Sequence, residues 1–413
     1  MIRAAVVGIT GYGRWHLLMA MEQSLLGRVQ LVGAVVINEP EAATLCARLR
    51  RHGVKIFASY DEMMSALAGR VDLVLLPTGI QWHAPMAIAA LHAGAHVLVE
   101  KPAAATLQEV DAMAAAQAKT GRLLAVGFQE LYVPAAHDIK ARVLRGEIGA
   151  LRRVTIRAQW PRGDAYYARN NWAGCLRVNG AWVLDSPANN AFAHFLLLAL
   201  FWAGDTPATA APVSTLEAEL YRSRPIESFD TLSLRARTAG GTEILFYGSH
   251  SGVEDRPPEI LLAGDGGEIR WTYERDYAVT RRGRAPEVFP VPDQLETRLR
   301  VLEVVVARLR GENEFIVEPS LARSHTHLVN ALHEFFPLVD VAPGHRDAGE
   351  TGKGDAHLIR GLDETIAAAA KQGALFSEVG AKWARPNPAH SLKDYQAFGG
   401  CWTTPAVEAV SWR

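Results

Sequence analysis

The chain has 413 residues, 49% of them hydrophobic and 21% charged, and 43 basic against 44 acidic side chains leave a formal charge of −1. That length favours two domains over one core, and without a basic excess there is nothing to neutralise the phosphates of a nucleic-acid partner. Three scattered cysteines (Cys46, Cys175, Cys401) build neither a disulfide framework nor a thiol metal site, which fits a reducing compartment. Met1-Ile2-Arg3 runs straight into an apolar strand pattern, so no leader is expected. The longest apolar run, 191–203, is interrupted by His194 and is too short to span a bilayer. A cytoplasmic protein with no membrane partner is expected.

Residues 1–125 alternate short apolar runs with helical patterns. Ala4-Ala5-Val6-Val7, 31–37, 71–76, 95–100 and 123–128 read as strands, and 14–26 and 41–51 as helices between them. Continuous apolar strands alternating with helices predict a doubly wound parallel sheet buried on both faces. From 126 to the end a second, α+β domain is expected. Strand patterns at 151–160, 216–220, 231–237, 242–250, 259–262, 268–273 and 277–282, punctuated by glycine turns, predict a large, mostly antiparallel open sheet. Helices are predicted over 294–310, 319–336 and 356–372, packing back on one or both domains, with 343–355 as a polar loop.

Gly8-Ile9-Thr10-Gly11-Tyr12-Gly13 directly follows the first strand and opens the first helix. Gly8 permits a tight turn and Gly13 a close approach of helix and strand, so helix N–H groups and dipole face a dinucleotide pyrophosphate. Thr10 stands where the middle glycine is usual. After the second strand comes Ile37-Asn38-Glu39, able to bond ribose hydroxyls, with no adjacent Arg or Lys for a 2′-phosphate. The expected cofactor is NAD, with NADP not excluded.

The Gly8 turn, Leu76-Pro77-Thr78 to His83, Gly94 to Pro102 with its Glu100-Lys101-Pro102, Gly127-Phe128-Gln129 to Pro134, and Gly146-Glu147-Ile148-Gly149 occur in the order of the Gfo/Idh/MocA oxidoreductases, which this chain resembles over its first domain and more loosely beyond. The resemblance implies a Rossmann domain binding NAD(P) through Gly8, Thr10, Gly11, Tyr12, Gly13, Asn38, Pro77, Thr78, His83, Glu100, Lys101 and Gln129. It implies a sugar, cyclitol or related polyol substrate facing the second domain's sheet. The family's catalytic lysine falls on Lys101, whose ammonium would bond the reacting oxygen and join the proton transfer, with Glu100 orienting it.

The family's second catalytic element is an aspartate followed four residues later by a histidine. Asp185 matches the first, but Asn189 occupies the second, and an amide does not shuttle protons near neutrality. Ser186 and Pro187 read as cap and first residue of a helix, which sets Asn190 and His194 one turn apart on one face. The acid/base is then Lys101 alone, Lys101 with His194, or a tyrosine from elsewhere; His194 reads equally as a core residue in an apolar helix. Trp160, Arg162, Tyr167, Arg169 and Trp172, with Asn190, suit a polyhydroxylated ligand, with rings on C–H faces and polar groups on hydroxyls. Arg162, Arg169 or Arg177 would equally clamp a carboxylate.

Gly349 to Gly354 lacks the spacing of a phosphate-binding loop, and His325, His327 and His333 lack the pattern of a metal site, so no metal is expected. The aromatic end, 398–402, is expected to dock on the body or on a neighbour. Leu232, Leu234, Ile244 and Phe246 suggest a sheet face left for pairing into a homodimer or homotetramer. Two further readings remain beside a dehydrogenase: a cofactor-retaining lyase or glycoside-processing enzyme acting through a transient ketone, and a non-catalytic nucleotide-sensing regulator.

Overall fold

The computed structural model describes residues 1–351 and 354–402, and they divide into two compact units. The first comprises Met1–Val133 and Pro292–Arg323. Its strands β1 (Ile2–Val7), β2 (Val29–Val35), β3 (Lys55–Phe57), β4 (Leu73–Leu76), β5 (His96–Val99) and β6 (Leu124–Val126) form a parallel sheet in the order β3-β2-β1-β4-β5-β6. Helices α1 (Gly13–Leu25), α2 (Ala43–Arg51), α3 (Tyr60–Ala66), α4 (Ile80–His92) and α5 (Leu107–Thr120) connect them. β4 and β5 are buried along nearly their whole length, which is why they read as uninterrupted apolar runs. Register aligns the strand ends: Leu76 pairs with Val99 and Val99 with Val126. Gly8, Pro77, Glu100 and Gly127 therefore follow neighbouring strands on one edge. The unit runs past residue 125 and takes in a late helix, Gln294–Leu309, which packs on α1.

The second unit comprises Pro134–Val291 and the residues from Ser324. In chain order its elements are α6 (Pro134–Leu144), β7 (Leu151–Gln159), α7 (Asp164–Ala168), β8 (Arg177–Val178), β9 (Ala181–Trp182), α8 (Ala193–Trp202), β10 (Val213–Arg222), β11 (Thr231–Thr238), β12 (Glu243–Ser249), β13 (Arg256–Gly264), β14 (Gly267–Thr272), β15 (Asp276–Arg281) and β16 (Glu287–Pro290). With α9 (Gln294–Leu309) assigned to the first unit, the chain continues through α10 (Pro319–Phe335), β17 (Leu338–Asp340), β18 (Arg346–Thr351), β19 (Gly354–Ile359), α11 (Leu362–Gln372) and β20 (His390–Ser391). The large sheet runs β16-β15-β14-β13-β7-β12-β11-β10-β17, antiparallel except for β7 with β12 and β10 with β17.

Three expectations change here. The helix expected over 356–372 begins only at Leu362, because Gly361 is left-handed (φ +71°) and the preceding residues, with most of the expected loop, pair as the hairpin of β18 and β19. Residues 352 and 353 of the discounted phosphate-loop pattern lie outside the described residues. The helix expected from Ser186 begins at Ala193; Ser186 instead opens a turn, its hydroxyl accepting from Asn189 N at 3.2 Å.

The sheet face expected to await a second copy is not open. Leu232, Leu234, Ile244 and Phe246 are fully buried, with Phe192 6.2 Å from Phe246. On the opposite face Tyr221, Leu245 and Tyr247 are covered by Ile359, Leu362, Ile366, Phe376 and Trp383. Every residue of β12 is buried in consequence. The pairing argument assumed one naked face, whereas Phe192 packs on this one and the chain's later segment covers the other. The aromatic end docks within the same unit: Phe398 meets Trp182 at 5.1 Å and Trp402 N donates to His333 O at 2.9 Å.

Candidate functional site

In the first unit the turn after β1 requires glycine. Gly8 and Gly11 have φ of +95° and +53°, and a Cβ on Gly13 would stand 2.4 Å from Gly8 O. Helix α1 thus starts against the turn itself, with no side-chain cap and no acid in its first turn, so its N–H groups and dipole are left to an anion. Tyr12 OH reaches Gln129 Oε1 at 3.3 Å, which brings together two of the expected cofactor residues. Thr10 is exposed beside them.

Behind the turn lies a buried polar knot. His16, one turn into α1 and completely buried, has Nε2 2.8 Å from Glu100 Oε1, and Glu100 Oε2 accepts from Lys101 N at 3.1 Å. Burial alone would raise the Glu100 carboxyl; the hydrogen bond and charge of His16, with the Lys101 charge, outweigh it and hold the group below its ordinary value. His83 pins the other side: its Nδ1 lies 2.7 Å from Pro102 O and its Nε2 3.1 Å from Thr78 O. Burial lowers its pKa. A neutral ring donates to one of these two carbonyls, so His83 is a positioning residue for the segment that accepts its N–H. Thr78 Oγ1 is shielded from solvent with no hydrogen-bond partner among the described residues, which fits a site that a polar ligand completes.

At the end of β2, Asn38 is exposed, and Glu39 holds Arg50 through bonds of 2.5 and 2.8 Å. The reading that no cation stands beside this acid is corrected: α2 supplies one from eleven residues away, already engaged. His16, Pro102 O and Arg298 were missed. Arg298, 4.0 Å over Trp15 and 5.6 Å over Tyr12, comes from α9, and no local pattern announces it.

In the second unit Asp185 is buried, its Oδ2 accepting from Gly174 N at 2.6 Å and its Oδ1 from Asn190 Nδ2 at 2.9 Å. Asn190 Nδ2 also lies 3.5 Å from Tyr166 OH. Asn189 is buried and turned back into the chain, donating to Val183 O and Leu184 O at 3.2 and 3.1 Å. It braces a bend in which Leu184 has φ +52°. His194 is half-buried, while the other residues of α8 are buried. With α8 starting at Ala193, Asn190 and His194 do not share a helical face as expected.

Tyr167 OH meets His250 Nδ1 at 3.0 Å, and Arg224 lies 4.6 Å over the Tyr167 ring while paired with Asp164 and Asp230 at 3.5 and 3.7 Å. Trp160 packs against Phe192, Phe195 and Tyr273 at 5.3 to 5.7 Å, an aromatic knot rather than an open stacking platform. Arg162 and Arg169 flank Tyr166, and Arg169 also lies 5.3 Å from the Trp172 ring. Tyr166 joins this cluster from α7, and Arg224, Asp230 and His250 join it from loops far along the chain. His325, His327 and His333 each contact a backbone carbonyl, and no group of metal-binding side chains occurs among the described residues. Nor is any described helix long and apolar enough to cross a membrane.

Residues 2–128 match the family model described as "Oxidoreductase family, NAD-binding Rossmann fold". The scyllo-inositol 2-dehydrogenase (NAD(+)) of Bacillus subtilis is 28% identical over 148 residues, 36% of this chain and 42% of that protein. The UDP-N-acetylglucosamine 3-dehydrogenase of Acidithiobacillus ferrooxidans is 32% identical over 139 residues, 34% of this chain and 41% of its own length. The chain thus spans about two-fifths of the curated relatives it matches. The crystal structure of the WlbA dehydrogenase from Bordetella pertussis in complex with NADH and UDP-GlcNAcA superposes with a TM-score of 0.65 at 24% identity, over 80% of this chain and 94% of that one, a likeness of fold.

Proposed function

With residues 2–128 matching the model of the Gfo/Idh/MocA oxidoreductases, we propose that the chain is an NAD-dependent dehydrogenase acting on a secondary hydroxyl, or the corresponding ketone, of a sugar or cyclitol. The observation that carries this reading is Lys101 at the carboxyl end of β5, its backbone held by Glu100 and, through Pro102, by His83, on the edge where the Gly8 turn opens. In parallel α/β sheets, ligands bind outside the carboxyl ends of the strands. Gly8, Gly11, Gly13 and the start of α1 would hold the pyrophosphate, and Thr78 a ribose or amide oxygen. NAD, when bound, supplies the two-electron acceptor.

The Lys101 ammonium would donate a hydrogen bond to the reacting oxygen and favour the charge that develops as its proton departs. Glu100, held ionised, keeps the lysine backbone in place. The Glu39 carboxylate past β2 favours NAD over NADP, since a 2′-phosphate there would meet an acid whose Arg50 is already occupied. Asp185 and Asn190, with Tyr166, would bond substrate hydroxyls. NADH and NADPH titrations followed by NAD reduction across a sugar and cyclitol panel test the reading. Tighter binding of NADH and reduction with at least one polyol are expected; preference for NADPH overturns the cofactor, and binding of neither overturns the whole.

A further inference from the structure

Arg162 follows β7 and is fixed by its own backbone N–H, which donates to His250 O at 3.0 Å. Its guanidinium lies 4.8 Å from the Tyr166 ring and 5.6 Å from Trp160. It is half-buried, its Nε is shielded from solvent, and among the described residues neither an acid nor a carbonyl accepts from its side chain. Arg169, 3.5 Å from the same Tyr166 ring, donates to Tyr166 O and has no acidic partner among the described residues. Three other arginines of this unit are paired with acids. Arg222 grips Asp340, Arg235 grips Glu217 and Glu378, and Arg224 beside Tyr167 has Asp164 and Asp230.

A partly desolvated guanidinium with an unused N–H is costly unless an anion completes it. Its planar fork matches carboxylate or phosphate oxygens. The nearby Asp185 is engaged by Gly174 N and Asn190 Nδ2. The pair nevertheless adjoins that aspartate, because Tyr166 OH lies within reach of the same Asn190 amide. We infer that Arg162, assisted by Arg169, receives an oxyanion carried by the sugar, a carboxylate or a phosphate, so that the preferred substrate is an acidic sugar rather than a neutral polyol.

This inference rests on reading the Asp185–Tyr166 cluster as the substrate-facing one, and it is tested by binding, without turnover. Calorimetry on the full chain with saturating NADH compares D-glucuronate, D-glucose 6-phosphate and D-glucose for the wild type, Arg162→Gln and Arg162→Lys. At least one anion should bind roughly tenfold or more tightly than glucose. Arg162→Gln should remove most of that preference, as expected for a lost charged hydrogen bond, and Arg162→Lys should keep part of it. Which anion responds identifies the oxyanion. Glucose binding as tightly as both anions, binding of none of the three, or an undiminished preference in Arg162→Gln overturns the inference. Should Arg162→Gln fail to fold, Arg162→Lys and Arg169→Gln read the preference instead, and an undiminished preference in both overturns it. Anion preference without NAD reduction by any polyol would sink the dehydrogenase reading alone; reduction of neutral polyols without anion preference would sink this one alone.

Discussion

The polar clusters of the two units are built in different ways. In the first, Gly8, Gly13, His16, Glu100 and Lys101 are placed by a strand, a tight turn and the first turn of a helix, and the contacts that matter run through backbone atoms or completely buried side chains. In the second, Asp185, Tyr166, Tyr167, Arg162, Arg224 and His250 come from loops and a five-residue helix, and ring–guanidinium contacts join them. A backbone-built site tolerates almost no change in shape. A side-chain-built one can be re-specified by substitution while its frame persists.

The difference can be broken first at Gly13. Gly13→Ala places a methyl 2.4 Å from Gly8 O, a backbone atom that cannot swing aside. NADH affinity, followed by fluorescence titration, should fall by roughly a hundredfold or more, with a stability loss of about 1–3 kcal/mol from overpacking. Unchanged affinity would mean that the turn is not the pyrophosphate site.

Glu100→Gln probes the knot through pH. The folded Glu100 carboxyl lies below its ordinary value of 4.5, so its stabilisation is present above about that pH and is lost as pH falls through the folded value. The variant should melt lower than the wild type at pH 7, and the gap should narrow towards acid. A gap independent of pH would show that the charge contributes nothing. In the second unit Asp185→Ala strands the buried Gly174 N–H, at a cost of about 1–3 kcal/mol in chemical denaturation; a neutral result would place Asp185 outside the frame.

His194→Asn should have the smallest effect on stability. His194 is partly exposed in an otherwise buried helix, so the melting temperature should move by no more than about 4 °C. A larger drop would favour the core-residue reading.

The same contrast explains what the sequence made legible. Uninterrupted apolar strands and the glycine turn, each governed by neighbours within a few residues, gave the parallel sheet and its cradle. The Glu-Lys-Pro tripeptide pointed to the carboxyl edge of β5. His16 was missed because its partner is 84 residues away, and His250 and Arg224 because only the folded sheet sets them beside Tyr167. Chain order misled most where glycine chemistry overrode helical pattern, at Gly361, and where a sheet that looked open on one face was covered on both. Asn189 reads in sequence as a lost imidazole; in the fold its amide has a task of its own, bracing the bend at Leu184.

The central claim is that a lysine presented by a rigid backbone performs the chemistry while the cradle beside it holds the cofactor. Lys101→Ala tests it most directly, with NADH binding and NAD reduction measured on one preparation using whichever polyol the wild type oxidises. The account predicts NADH affinity within about threefold of wild type and turnover lowered by roughly a hundredfold to ten-thousandfold, the range for a lost acid/base group. Turnover at the wild-type rate would contradict it.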